Sequence, residues 1–161
     1  MNITFFELLL LIIIANGAPI LIRVLLRDRF DRAVDFGQKM PDGRHVFGSS
    51  KTWRGIFAAL ITTAIAAPVL GHPVEIGFLV ALYAVTGDLI SSFIKRRLAK
   101  APSSMAPILD QVPESLLPAI MLKQHFGLDY FGVIQLVLIF IIIELLLSHI
   151  LYEWGIRKRP Y

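Results

Sequence analysis

The chain contains no cysteine, which excludes a disulfide framework, a thiolate metal site and a cysteine nucleophile together. It is also poor in charge, with Asp, Glu, Lys and Arg making up 17% of its 161 residues, against about a quarter in an ordinary soluble domain. Neither GxSxG nor HExxH occurs, and no Ser, His and Asp fall into a nucleophile-and-base arrangement, so hydrolase and zinc chemistry have no support. GRHVFGSSKT approaches the phosphate-loop signature but places two extra residues before the lysine. No internal repeat, coiled-coil heptad or low-complexity tract appears, and nucleic acid is not an expected partner.

What the chain does have is apolar length. It is 56% hydrophobic with a mean hydropathy of +0.69, and a helix needs roughly 20 mostly apolar residues to cross the hydrocarbon core. Residues 3–26, 52–70, 76–94 and 131–152 meet that demand, the second and third joined by a tight GHP turn. Residues 104–122 make a weaker fourth span in chain order, interrupted by Asp110, Gln111 and Glu114 and by three prolines. The expectation is therefore a single all-α transmembrane domain of about five helices. No Lys or Arg precedes the first apolar run and no small-residue cleavage site follows it, so it is read as a spanning helix and not as a removable signal.

Lysine and arginine accumulate in cytoplasmic loops. Eight lie between Arg23 and Arg54, four between Lys95 and Lys100 and three between Arg157 and Arg159, and only Lys123 lies apart. Five spans with the N-terminus outside and the C-terminus inside keep the three groups on one side. The net charge of +4 then lies against anionic headgroups of the cytoplasmic membrane. The long loop of residues 27–50 mixes both charge signs with several glycines and is expected to be ordered only in part.

Three polar elements interrupt this pattern. In GDLISSFIKRR (residues 87–97), Asp88, Ser91, Ser92 and Lys95 share one helical face with Arg96 beside it. Asp88 would lie roughly 10 Å inside the membrane end marked by Lys95, where an ionisable group faces a cavity, a partner or a metal. The stripe reads equally as a structural lock between helices. Asp110 falls at a comparable depth on the fourth span, where two carboxylates could hold a hard cation such as Mg²⁺, or where Asp110 could cap a helix. In GSSKTWRG (residues 48–55), Gly48 frees the backbone, and Lys51, Thr52, Arg54 and the first amides of a helix make an anion site or, alternatively, a cationic helix end against headgroups. Glu144 and His149 lie five residues apart in the most apolar run, a poor metal pair that reads as helix packing or a proton-linked role.

Taken together, DGRHVFGSSKTWRG (residues 42–55), GDLISSFIKRRL (87–98) and LDQ (109–111), in this order, resemble the CDP-archaeol synthase family and, more distantly, the CDP-diacylglycerol synthases. The resemblance implies an integral membrane cytidylyltransferase that joins CTP to a lipid phosphate with Mg²⁺ and releases pyrophosphate. It implies that Asp88, Lys95 and Asp110 carry catalysis and that Asp88, Asp110 and Glu114 hold the metal. Gly48, Lys51, Thr52, Arg54, Ser91, Ser92, Arg96, Arg97 and Gln111 would meet the nucleotide. The family pattern DQxD departs here to DQVPE, with Pro113 at the second acidic position and Glu114 next to it. Either an ether-type glycerophosphate or phosphatidic acid would serve as acceptor, the bilayer supplies the lipid, and a second copy of the chain is a further candidate partner. The alternative from another class is a non-catalytic protein that binds anionic lipid or transports a small ion. A CDP-alcohol phosphotransferase is disfavoured, because DGxxAR is absent and Asp42 and Gly43 are followed by Arg44 and His45.

Overall fold

A computed structural model describes residues 3–101, 106 and 108–156. The described chain forms five helices: α1 (Ile3–Leu26), α2 (Trp53–Val69), α3 (Val74–Arg97), α4 (Gln111–Met121) and α5 (Tyr130–Glu153). Among the described residues the only β pairing is two isolated bridges, Ala33 with Thr52 and Lys39 with His45. Helices α1, α3 and α5 have 24 residues each and are long and apolar enough to cross a membrane, each rising about 36 Å. The 17 residues of α2 are apolar but shorter. Helix α4 differs most from expectation, since its 11 residues begin at Gln111. Its expected start near residue 104, like the cations Arg157, Lys158 and Arg159, lies outside the described residues.

Local chemistry sets these ends. Thr52 caps α2, its hydroxyl accepting from Gly55 N, and Asp129 caps α5 by accepting from Gly132 N at 2.7 Å. The turn between α2 and α3 passes through Gly71 at φ +80°, a backbone region open to glycine at little cost. Helix α3 packs against α1, α2 and α4, and α5 closes on α4 and α1. The core is built from Phe5, Leu8, Leu11, Ile12, Val80, Phe126, Leu136 and Phe140. Phe57, Ile61, Ile65 and Val69 on α2, and Ile134, Leu138, Ile142 and Leu146 on α5, are exposed at four-residue spacing. Such stripes face lipid.

Two glycines let helices meet backbone to backbone. A Cβ on Gly77 would stand 2.4 Å from Thr63 O and 2.6 Å from Ala67 Cβ, and one on Gly87 would stand 2.1 Å from Pro113 O. Only a hydrogen fits at either place, and small residues at helix crossings are the usual route to close packing in membranes. The second contact seats α4 directly against the level of Asp88.

The segment between α1 and α2 is folded, where the sequence suggested only partial order. The buried Asp35 carboxylate accepts from the amides of Gly37 (3.0 Å), Phe47 (3.0 Å) and Gly48 (2.8 Å). Burial works against the charge of Asp35, but these amides outweigh it and hold its pKa below the ordinary carboxylate value. Val34 N donates to Lys51 O at 2.8 Å and Trp53 N to Arg32 O at 3.1 Å, so the segment returns to α2 in register. At the opposite end of the helices, His72 Nε2 lies 3.0 Å from Glu7 and His72 Nδ1 lies 3.2 Å from His125 Nε2. This chain of side chains ties α1 to the turns before α3 and α5.

Candidate active site

The polar residues of the three motifs converge between α2, α3 and α4. Lys51 Nζ reaches Asp88, with Oδ1 at 2.6 Å, and Lys95 Nζ lies 2.6 Å from Asp110 Oδ1. The stripe on α3 therefore does not close on itself, and each of its two charged members pairs with a different neighbouring segment. Burial disfavours the Lys51 ammonium, yet the adjoining Asp88 carboxylate more than compensates and leaves its pKa above the ordinary lysine value. Glu114 is buried in α4 and lies within electrostatic reach of Asp88, Asp110, Lys51 and also Glu144 of α5. Asp110 stands at the start of α4 without capping it, since its Oδ2 accepts from Ala106 N at 3.2 Å.

The remaining expected site residues divide by what they touch. Gly48 (φ +94°) shapes the loop and donates its amide to Asp35. Thr52 is committed to the α2 cap, Gln111 Oε1 accepts from Ile108 N at 3.1 Å, and Ser91 donates to the Gly87 and Asp88 carbonyls of its own helix. Ser92 is buried on the same face of α3. Arg54 donates to the carbonyls of Arg27 and Arg29 and pairs with Asp31 at 2.8 Å, which fastens the chain after α1 to the start of α2. Arg97 pairs with Asp42 at 2.7 Å and donates to His45 O at 2.7 Å, so it clasps residues 42–45 to the end of α3. Arg96 is 5% exposed. Its Nη2 donates to Ala101 O, while Nε and Nη1 have no partner among the described residues. Buried donors left unpaired are costly, and an anion would satisfy them.

A cavity of about 250 Å³ opens beside these groups, lined by Lys51, Thr52, Arg54 and Asp88 together with Ser49, Ser50, Arg23, Asp31 and Pro19. Arg23, Asp31 and Asp35 were not picked out by motif. Arg23 and Asp31 are singled out only by the way α1 and the loop fold back onto α2, and Asp35 by its burial.

Among the described residues no three Asp, Glu or His side chains stand close enough to cage a metal ion. Mg²⁺ seldom needs such a cage, because it is held by one or two carboxylates plus waters and substrate phosphates. Asp88, Asp110 and Glu114 supply the oxygen donors that suit it, and the lysines on the two aspartates mark where cationic charge is wanted. The donor chemistry fits the ion.

The CarS-like family of CDP-archaeol synthases matches residues 6–161. The chain is 29% identical over 159 residues to the CDP-archaeol synthase of Staphylothermus marinus, covering 92% of this chain and 86% of that one. It is 30% identical over 154 residues to that of Pyrobaculum aerophilum, covering 92% of each, and 32% identical over 134 residues to that of Sulfolobus acidocaldarius, covering 80% and 82%. A solved structure, of an intramembrane enzyme for archaeal membrane lipid biosynthesis, superposes with a TM-score of 0.74 at 28% identity, covering 88% of this chain and 90% of that one. With a family match over nearly the whole chain and an all-helical scaffold carrying three helices long and apolar enough to span a membrane, the chain belongs to the CDP-archaeol synthase family.

Proposed function

We propose that this membrane nucleotidyltransferase carries out its reaction at the cluster of Lys51, Asp88, Lys95, Asp110 and Glu114, moving CMP from CTP to an ether-type lipid phosphate. The observation that carries the assignment is the pairing of Lys51 with Asp88 and of Lys95 with Asp110. It brings residues from three separate motifs into one charged site beside a cavity. Family membership favours this reading over a non-catalytic lipid binder or ion transporter, neither of which accounts for three matched motifs at one place.

A lipid phosphomonoester is largely dianionic near neutral pH, its second pKa being about 6, so no general base is required. One of its oxygens attacks the α-phosphorus of CTP, a new P–O bond forms, the bond to the β-phosphate breaks, and pyrophosphate leaves. The obstacle is repulsion between two anions. Lys51, Lys95 and the unsatisfied donors of Arg96 provide fixed positive charge against the triphosphate. Asp88 and Asp110 orient those lysines, and Glu114 keeps a third carboxylate at hand. One or two of the carboxylates of Asp88, Asp110 and Glu114 would hold Mg²⁺, which would supply further neutralisation of the triphosphate. The cation-rich ends of α1, α2 and α3 belong at the cytoplasmic face of the cytoplasmic membrane, where CTP is met from water and the acceptor from the leaflet.

The test is transfer of radiolabel from [α-³²P]CTP into a lipid extract by purified protein, with and without Mg²⁺. A diphytanyl-type ether glycerophosphate and phosphatidic acid are offered side by side. Label is expected in the ether lipid, only with Mg²⁺, and not with Asp88→Asn protein that retains its thermal unfolding temperature. Wild-type transfer by Asp88→Asn would remove Asp88 from the reaction.

A further inference from the structure

We infer that Arg23, in the last turn of α1, is the residue that receives the phosphate of the lipid substrate; the assignment deepens the reaction proposed above and rests on it. Three cations line the cavity, and two are already committed. Lys51 is held by Asp88, and Arg54 is held by the Arg27 and Arg29 carbonyls and by Asp31. The Arg23 guanidinium has no hydrogen bond, ion pair or ring contact among the described residues. It is the cavity cation with its whole donor fork to offer.

Its position also suits an amphiphile better than a soluble nucleotide. Pro19, one turn earlier on the same face, lines the cavity, and a Cβ on Gly55 at the start of α2 would fall 3.3 Å from Pro19 Cβ, tighter than ordinary contact. The missing side chain lets the end of α1 close on the start of α2 beside the site. Beside Arg23 round the helix, Ile20 and Leu26, three residues to either side, are half-buried and Val24 is exposed, so apolar surface adjoins the guanidinium. Arg23 thus stands where an apolar helix surface meets a polar cavity. A ligand that places chains along that surface brings its headgroup to the guanidinium, which binds phosphate in a bidentate, charge-assisted manner. CTP, entering from water, meets the loop residues Ser49, Ser50 and Lys51, which also line the cavity.

The experiment compares wild-type protein with Arg23→Gln and Arg23→Lys in mixed micelles, varying the ether glycerophosphate at saturating CTP and then CTP at saturating lipid. Thermal unfolding temperature is recorded for each variant. Arg23→Gln is expected to raise KM for the lipid phosphate by about tenfold, to leave KM for CTP within about twofold, and to keep the unfolding temperature. Arg23→Lys is expected to recover part of the loss, because it restores charge without the fork. A rise confined to the CTP KM, or unchanged kinetics in Arg23→Gln, would overturn the assignment. Wild-type protein that moves no label from CTP into lipid overturns the reaction itself, and the assignment falls with it.

Discussion

Gly87→Ala adds one methyl group, yet it should dismantle the site. The new Cβ would lie 2.1 Å from Pro113 O, 2.4 Å from Pro113 C and 2.7 Å from Glu114 N, whereas ordinary contact begins at 3.4 Å. All three obstructing atoms are backbone, so no side chain can swing aside. Helix α4 has to retreat from α3 by about 1 Å, and overpacking of this kind costs about 1–3 kcal/mol. The larger effect falls on chemistry, because Asp110 and Glu114 travel with α4 while Asp88 and Lys95 stay with α3. A displacement near 1 Å within a reacting constellation costs about 10²-fold in rate. Thermal unfolding in detergent and CTP-to-lipid transfer should be measured on the same preparation. Gly17→Ala serves as the control, since nothing lies within 4 Å of a Cβ there, and a glycine-to-alanine change inside a helix stabilises by about 0.5–1 kcal/mol. Gly87→Ala protein with wild-type unfolding temperature and transfer rate would refute the close approach and the argument built on it.

Lys51→Met should leave Asp88 without its ammonium and lower transfer by about 10²-fold or more in protein that still binds detergent micelles as a monodisperse species. Because Lys51 has a raised pKa, the stability it confers is complete below the ordinary lysine pKa and fades as pH rises through the folded value. The unfolding-temperature gap between wild type and Lys51→Met should therefore be flat across neutral pH and close only in strong alkali. Asp35→Asn replaces an acceptor that serves three amides and should destabilise by about 1–3 kcal/mol. The Asp35 pKa is lowered, so its contribution is full above the ordinary carboxylate pKa and is lost as pH falls through the folded value; the wild-type and Asp35→Asn unfolding curves should converge in acid. Arg97→Gln releases residues 42–45 from α3, and limited proteolysis should then cut in that segment well before wild type. Equal cleavage rates would show that the clasp is not what orders it.

The long apolar helices were legible because twenty or more apolar residues admit little else in lipid, and the sequence runs at 3–26, 76–94 and 131–152 coincide closely with α1, α3 and α5. Helix α4 was harder to read. Its prolines and carboxylates blur the apolar signal, and its close seat on α3 depends on Gly87, where a Cβ would meet the Pro113 carbonyl, residues 26 positions apart. Asp88 and Asp110 could be picked out as costly charges in an apolar run, but their partners could not. The match of Asp88 with Lys51 spans 37 positions, and helical spacing pointed instead to Lys95. Arg54 is a candidate phosphate ligand for its bidentate fork and Arg97 through the family resemblance; in the fold, backbone carbonyls of the loop also take up donors of each. Asp35 left no trace in spacing, since an acid that organises amides announces itself only through where the chain turns.

The brevity of α4 bears on how charge survives at the site. Eleven residues rise about 16 Å, roughly half of a hydrocarbon core about 30 Å thick. Ahead of the helix, the side chains of Asp110 and Gln111 accept from Ala106 N and Ile108 N. Non-helical backbone at membrane depth persists only where protein or water covers it. At the N-terminal end of so short a helix, the pairing of Asp110 with Lys95 offsets much of the cost of holding either charge away from bulk water.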